Sequence, residues 1–419
     1  QQVLARVVQA LAERDAGSHD DLGTDEYGRL VRNALFAIER HRPGLEHVLQ
    51  TLAPGRIRPR LRRVLWWAMA QMLWMRALPH AIVADTCVRF VRKRWSTHES
   101  GFVNALLRTF ADGPPDRIWL EAMAEAPAWV QLELGQTLHK RWSTRFSEDE
   151  LAALSQVLQK PAPLTVRLRA DTPPPNVDWL CPLELPAWAP GIHMFECTDA
   201  TALFSGDTLS GQNAYVQDPS TLLAPLMLDV QPGETVGDFC SAPGGKAILL
   251  AEKAGPEEGC ILCLDRSPAR LQRLAQNTEM LTSCRIIAAD AAHPPCADQS
   301  IDALLLDVPC SNTGVIRRRP DVRRSISEER VRELVALQRE ILEGACAVVR
   351  HGGRLVYSTC SIEPEENGDQ IQQFLKTHPE FRLVREQLLL PCDLHDGAYA
   401  ALLERNGDYS SKSTCKSSA

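Results

Sequence analysis

Apolar residues recur at helical spacing along the first hundred positions. Val3, Leu4, Val7, Val8 and Leu11 fall on one helical face, and Leu30, Val31, Ala34, Leu35 and Ile38 on another. Gly44 and Pro54-Gly55 interrupt the pattern. A Trp- and Met-rich run over 64–76, a run over 81–93 behind Pro79 and one over 100–110 extend an all-helical stretch that Gly113-Pro114-Pro115 closes. From 116 to 205 the pattern is mixed. Residues 129–142 keep helical spacing, and Ser147 is placed to cap a helix over 148–158. Leu164 to Arg169 alternates as a strand with one basic face, and 173–190 is rich in proline. From about 213 the rhythm changes again. Apolar runs at 235–240, 260–264, 285–288, 301–306 and 354–357 read as strands, with helices at 246–253, 268–280, 328–349 and 364–376 among them. Strands that alternate with helices predict a mostly parallel, doubly wound sheet. Residues 381–385 and 399–405 are placed to add antiparallel edge strands.

The pattern thus predicts an all-α domain over 1–112, a small α+β module over 116–205, an α/β domain over 213–406, and a Ser/Lys-rich tail over 408–419 whose composition predicts disorder. A length of 419 residues agrees, being too long for one ordinary core. Hydrophobic content of 44% and charged content of 24% are those of a globular protein. The most apolar stretch, 64–75, covers roughly half of the ~20 residues a membrane crossing needs, so it reads as a core helix. Thirteen cysteines raise the question of disulfides, yet no signal peptide is evident and the cysteines are scattered through apolar strands. Free thiols in a reducing, cytoplasmic setting are expected. Cys260 and Cys263 have metal-like spacing but no second half, and on a strand they would face opposite sides. No metal site is expected.

A net charge of -7 gives no global sign of a nucleic-acid partner, so any basic surface must be local. The segment 56–108 is such a place: Arg56, Arg58, Arg60, Arg62, Arg63, Arg76, Arg89, Arg92, Lys93, Arg94 and Arg108 stand against Asp85 and Glu99. A solvated helical surface and a phosphate-contacting face are both open readings. Trp66, Trp67 and Trp74 read as core.

Chemistry gathers at the predicted carboxyl ends of strands, where open α/β sheets bind ligands. The run at 301–306 leads into Asp307-Val308-Pro309-Cys310-Ser311-Asn312-Thr313-Gly314, which places a carboxylate and a thiol at one strand end. Ser358-Thr359-Cys360-Ser361 places a second thiol at another. The run at 235–240 leads through Asp238-Phe239-Cys240-Ser241-Ala242-Pro243-Gly244-Gly245-Lys246 into a helix. Glycine permits close approach of a ligand, and the helix start offers free N–H groups, although an ordinary tight turn would look alike. Asp265 ends the next strand, near the distance at which an acid meets a ribose hydroxyl, and also suits a helix cap. Asp290 follows the third strand and fits either an adenine contact or a turn. Most buried cysteines are inert, but a thiolate in such a cleft is a nucleophile.

The three motifs at 238–246, 307–314 and 358–367 (Ser-Thr-Cys-Ser-Ile-Glu-Pro-Glu-Glu-Asn), in this order, resemble those of the RNA cytosine-C5 methyltransferases. His395-Asp396-Gly397-Ala398-Tyr399 resembles that family's closing motif. Leu78-Pro79-His80-Ala81 and Gly101-Phe102-Val103-Asn104-Ala105-Leu106-Leu107-Arg108 resemble motifs of a NusB-like RNA-binding domain. Together they resemble the Sun/Fmu (RsmB) branch, which methylates small-subunit ribosomal RNA. The resemblance implies a NusB-like helical domain and a Rossmann-like methyltransferase domain joined by the small module, with RNA as partner and neither membrane nor metal. Val308 and Asn312 replace smaller residues, Arg324 stands where Trp is frequent, and the strand Leu164 to Arg169 lacks the usual Asn.

The same resemblance implies that S-adenosylmethionine is held by Cys240, Ser241, Ala242, Pro243, Gly244, Gly245 and Lys246, with Asp265 on its ribose, Asp290 on its adenine and Asp307 close by. Cys360 attacks C6 of an unstacked cytosine, Asp307 hydrogen-bonds the base, and Cys310 assists release of Cys360 after C5 is methylated. Three alternatives stay open: the same chemistry on transfer RNA or another RNA, Cys310 as the nucleophile, and a non-catalytic RNA-binding assembly factor.

Overall fold

A computed structural model describes residues 1–16, 25–111, 113–169, 172–205, 213–255 and 258–407. The tail over 408–419, expected to be disordered, lies outside the described residues. The chain divides into two compact units: Gln1–Lys160 with Pro320–Ser325, and Pro161–Arg319 with Ile326–Ala419.

The first unit is helical. Helices Gln2–Asp15, Glu26–Arg40, Arg42–Leu52, Pro59–Ala70, His80–Arg94 and Thr97–Ala111 enclose Leu4, Leu11, Leu35, Ile38, Val64, Leu65 and Phe110. The Trp- and Met-rich helix starts earlier than its apolar pattern suggests, because Pro59 is suited to a first turn. It ends in a π-helical turn, Gln71–Met75, where the Arg76 N–H donates to Gln71 O at 2.8 Å with Arg76 in the left-handed region. Trp66 and Trp67 are buried, and half-buried Trp74 stacks on His41 with centroids 3.9 Å apart. In the basic segment, Arg58 and Arg60 donate to Glu99 at 2.8 and 2.7 Å, and Arg63 reaches Asp15 at 2.9 Å. Arg92, Lys93 and Arg108 are exposed.

Residues 116–205, expected as one module, are shared between the units at Lys160 and Pro161. The helix Glu148–Gln159 stays with the helical unit. Ser147 caps it in a capping box with Glu150, and Ser155 Oγ donates to Leu132 O at 2.6 Å. Pro320–Ser325 joins the same unit through Arg323, which is buried and donates to Glu133 O and Leu158 O at 2.9 and 2.8 Å. A side chain at Gly135 would sit 1.9 Å from Arg323 O, so only glycine allows this approach.

The second unit holds two sheets. The small one is antiparallel: β1 (Thr165–Leu168), β2 (Leu180–Pro182), β3 (Met194–Cys197) and β4 (Ala214–Val216) lie in the order β2-β3-β1-β4. The large one contains β5 (Thr235–Phe239), β6 (Cys260–Asp265), β7 (Cys284–Ala288), β8 (Ile301–Asp307), β9 (Val349–Thr359), β10 (Phe381–Leu389) and β11 (Ala398–Arg405). Its order is β10-β11-β9-β8-β5-β6-β7. Strands β5 to β9 pair in parallel, and β10 and β11 are antiparallel, as the pattern predicts. Alternate residues fill the two faces: Leu304, Leu306, Leu355 and Tyr357 pack on one side, Val236, Ala303, Leu305 and Val356 on the other. Burial of each such side chain contributes about 1.5–3 kcal/mol. The β9 strand is longer than expected: the preceding helix stops at Ala345, and Val349 already pairs with Ile301.

Candidate active site

From β5 the chain winds out through β6 and β7, then returns to place β8 and β9 on the other side of β5. The strand order therefore reverses between β5 and β8, and a crevice opens at their carboxyl ends. A cavity of about 530 Å³ lies there, lined by Cys240, Lys246, Asp265, Asp290, Asp307, Cys310, Asn312 and Cys360 among others.

Residues 241–245 do not line that cavity; they shape the turn beside it. Gly244 has φ 106°, and a side chain there would meet Leu274 at 2.8 Å. A side chain at Gly245 would meet the Tyr215 ring at 2.7 Å. Ala242 N donates to Asp265 Oδ2 at 3.3 Å. Ser241 Oγ donates to Asp238 Oδ2 at 2.7 Å, while the buried Asp238 Oδ1 has no partner among the described residues. Burial pushes the Asp238 carboxyl up to about 7, and pushes the Cys240 thiol up to about 12.

The acid that ends β6 and the one that follows β7 make local bonds as well as facing the cavity. Asp265 accepts from Ser267 N at 3.0 Å and pairs with Arg270 at 3.2 Å. Asp290 accepts from Ala292 N at 3.0 Å. The turn role and the ligand role are thus compatible, since a carboxylate oxygen has two lone pairs.

Asp307 and both thiols meet across the crevice. Lys246 Nζ donates to Asp307 Oδ2 at 2.6 Å. Burial works against the Lys246 ammonium, but the Asp307 carboxylate outweighs it and holds the lysine above its usual range. Cys310 Sγ and Cys360 Sγ are 3.1 Å apart, and the Cys360 thiol donates to Asn312 Oδ1 at 3.1 Å. Contact with Cys360, reinforced by burial, pushes the Cys310 thiol well above its ordinary value.

Sequence reasoning missed the groups that hold the two thiol loops together. Glu366 is fully buried. Its Oε1 accepts from Ser311 N at 2.8 Å and Gln338 Nε2 at 2.9 Å. Its Oε2 accepts from Ser361 Oγ at 2.5 Å and from Ser311 Oγ. One carboxylate thus bridges the residue after each cysteine. Gly314 adds backbone bonds: its N–H donates to Cys360 O at 3.0 Å, and its carbonyl accepts from Gly397 N at 2.8 Å. A side chain at Gly314 would lie 2.7 Å from Cys360 O. Beneath this, Asp396 accepts from Arg317 at 3.0 Å and Arg318 at 2.7 Å, and Arg318 also reaches Asp218 at 2.8 Å. The visible signal for each was its place in a motif, Asp396 in the closing one and Glu366 in the one at 358–367, but neither showed the bonds it makes.

A switch-point cavity with a glycine turn, an acid at the end of β6, another after β7 and a pair of touching thiols marks a Rossmann-like domain with a ligand-sized cleft. Comparison with known proteins narrows the class. The family model described as 16S rRNA methyltransferase RsmB/F matches residues 225–402, and that of the NusB family matches 2–112. The Ribosomal RNA small subunit methyltransferase B of Yersinia pestis bv. Antiqua (strain Angola) is 31% identical over 382 residues, covering 86% of this chain and 84% of the relative. That of Pectobacterium carotovorum subsp. carotovorum (strain PC1) is 31% identical over 406 residues, covering 90% of both. The solved structure of PH0851 aligns with a TM-score of 0.72 at 25% identity over 92% of each chain. A methyltransferase homolog protein from Pyrococcus horikoshii shares the fold, at 24% identity and a TM-score of 0.57 over 66% of this chain and 97% of that one. The chain belongs to the RsmB/F family of 16S ribosomal RNA methyltransferases, with a NusB family domain at its N-terminal end. Among the described residues no helix is long and apolar enough to cross a membrane, and no cluster of three or more His, Cys, Asp or Glu is placed to hold a metal.

Proposed function

We propose that the chain transfers a methyl group from S-adenosylmethionine to C5 of a cytosine in RNA, 16S ribosomal RNA first, through a bond between Cys360 and C6 of the base. The observation that carries this reading is the 3.1 Å contact of two thiols in a cavity shared with Asp307. Cytosine C5 is a poor nucleophile until a thiolate adds to C6, so the enzyme must both attack and later leave the same base. One thiol for each task accounts for the pair. The more open Cys360 makes the attack, because burial and the neighbouring sulfur penalise a thiolate at Cys310.

Cys360 Sγ forms the bond to C6, and the electron pair of the C5–C6 double bond moves into the base, where it makes C5 enamine-like. Asp307, fixed by Lys246, hydrogen-bonds the base and promotes that addition. When bound, S-adenosylmethionine supplies the electrophilic methyl group. Once C5 carries the methyl group and the cofactor has been left as a neutral thioether, solvent accepts the C5 proton, whose electron pair restores the C5–C6 double bond and expels Cys360 as a thiolate, which the adjacent Cys310 thiol protonates. The cavity fits the cofactor through Asp265 for its ribose hydroxyls and Asp290 for its adenine, with the turn 240–246 beside its methionine end. Small-subunit rRNA methyltransferases among the relatives support ribosomal RNA as substrate, and the NusB family match supports the helices as the RNA-binding module.

Bisulfite sequencing of total RNA from cells with and without the gene tests the reading. Loss of signal at one 16S cytosine is expected. Loss at a transfer RNA cytosine instead would move the substrate, and no change at any cytosine would favour a non-catalytic assembly factor.

A further inference from the structure

One face of the small sheet carries charge that the methylation chemistry leaves unused. Side chains two apart on a strand share a face, so Arg167 in β1 and Arg169 just beyond it point the same way. Arg167 is 1% exposed, though a guanidinium is seldom so buried without full pairing. Its Nε donates to Gln217 Oε1 at 2.9 Å and its Nη1 to Glu252 Oε2 at 2.7 Å. Its Nη2 has no partner among the described residues. Arg169 Nη2 donates to Asn277 O at 3.0 Å, and its buried Nε has no partner among them either.

Both residues border a cavity of about 490 Å³, separate in its lining from the thiol cavity. Exposed His193 and Lys253 stand at its wall, with Glu252 as the one acid among the described residues that line it. Among the described residues Glu252 balances Arg167, which leaves Arg169 and Lys253 as net positive charge. Burial lowers the proton affinity of Arg169, a cost that an anion beside it would relieve. Arg169, with one guanidinium nitrogen still unpaired among the described residues, and the exposed Lys253 and His193 around an open cavity are complementary to a phosphate, which accepts several N–H bonds at once. A carbonyl or a neutral sugar would leave the positive charge unmatched.

We propose that this cavity takes one backbone phosphate of the RNA substrate, a contact outside the thiol cavity; the proposal rests on the chain acting on RNA. The position suits it. Asn277, which accepts from Arg169, also donates to Pro243 O at 2.8 Å in the turn that leads to Lys246. A phosphate held by Arg169 is therefore anchored to the same backbone that borders the reacting base.

The test uses the full chain with Arg169→Ala and, separately, Lys253→Glu, both changes at side chains that are not fully buried. RNA affinity is measured from about 50 to 200 mM salt, with the KM for RNA in the methylation assay and S-adenosylmethionine binding by calorimetry. Loss of one phosphate contact lowers the slope of log affinity against log salt by about 0.7–0.9. The expected result is that drop, with a several-fold higher KM for RNA and unchanged cofactor binding. Unchanged slope and KM in both variants, while the wild type methylates RNA, would overturn the proposal. So would NMR titration showing that the cavity binds inorganic phosphate with no change in the RNA slope, because the ligand would then be a free anion. A wild type that methylates no RNA defeats the functional reading itself, and is seen before any variant is compared.

Discussion

The loops that follow β8 and β9 look equivalent in composition, each delivering a cysteine from the end of a parallel strand, but the fold treats them differently. Cys310 is buried, pressed against its neighbour, with the next residue tied to Glu366 through both backbone and side chain. Cys360 is half-buried and faces both the cavity and Asn312. The loop of Cys360 also supplies Glu366, the group that fixes the loop of Cys310. Thus one loop presents the reactive atom and the brace, while the other presents a held partner. Two thiols with the same sequence context can have opposite duties when one carboxylate and a few degrees of burial separate them.

Four changes test that asymmetry, in decreasing order of expected effect. Cys360→Ala removes the attacking atom, and turnover should fall by roughly 10⁴-fold or more in a methyl-transfer assay, since loss of a nucleophile is rarely compensated. Retained turnover in that variant would place the attack elsewhere. Glu366→Ala takes the acceptor from the buried Ser311 N and one acceptor each from Ser361 Oγ, which keeps Ser311 and Thr313 beside it, and Gln338 Nε2, which keeps Pro309 O. A stranded buried donor costs about 1–3 kcal/mol, so stability should drop by roughly that much in denaturant unfolding. Glu366→Gln, which keeps part of the bonding, should fall between the two; an unaltered midpoint in the alanine variant would mean that the brace is not needed. Gly314→Ala forces the backbone of Cys360 or Gly397 to move, at about 1–3 kcal/mol. Its kcat should suffer while cofactor binding, measured by calorimetry, stays close to wild type.

The smallest effect is one of pH. The folded Asp238 carboxyl titrates at about 7 instead of its ordinary 3.8, because burial disfavours its charge. The folded chain therefore keeps a proton that the unfolded chain has released. The stability this contributes is complete below the ordinary value and is lost as pH rises through about 7. Asp238→Asn stays neutral throughout and should gain in melting temperature on the wild type between about pH 5 and 8. A difference between the two that does not vary with pH would show that Asp238 is not the group that titrates.

Much of this was legible in the sequence, and the part that was not has a common cause. The strand runs announced themselves because both faces of a parallel sheet are buried, so β5, β6 and β8 read as continuous apolar segments. Cys310, Cys360, Asp307 and Asp265 could be placed because each stands where such a run ends. Glu366 could not. It lies in the third motif, in Ile362-Glu363-Pro364-Glu365-Glu366-Asn367, but nothing in that polar string shows that it is buried and bonded to Ser311 and Gln338 from distant parts of the chain. Arg317 and Arg323 mislead in the same way. Within Arg317-Arg318-Arg319-Pro320-Asp321-Val322-Arg323-Arg324 they look like solvated charge, yet both are buried against acceptors supplied by other segments. The split of 116–205 between two units is of the same kind, because periodicity shows elements but not which core they join. What escapes a linear reading is the buried polar residue whose partners are far away in the chain.

The division of labour between the two thiols is tested most directly by trapping the covalent bond. Each variant is incubated with its RNA and S-adenosylmethionine, and the protein–RNA adduct is resolved on a denaturing gel. Cys310→Ala should accumulate an adduct that survives denaturation, because attack by Cys360 proceeds and release fails. Cys360→Ala should form none. Adduct in Cys360→Ala and none in Cys310→Ala would assign the attack to Cys310 and contradict the account.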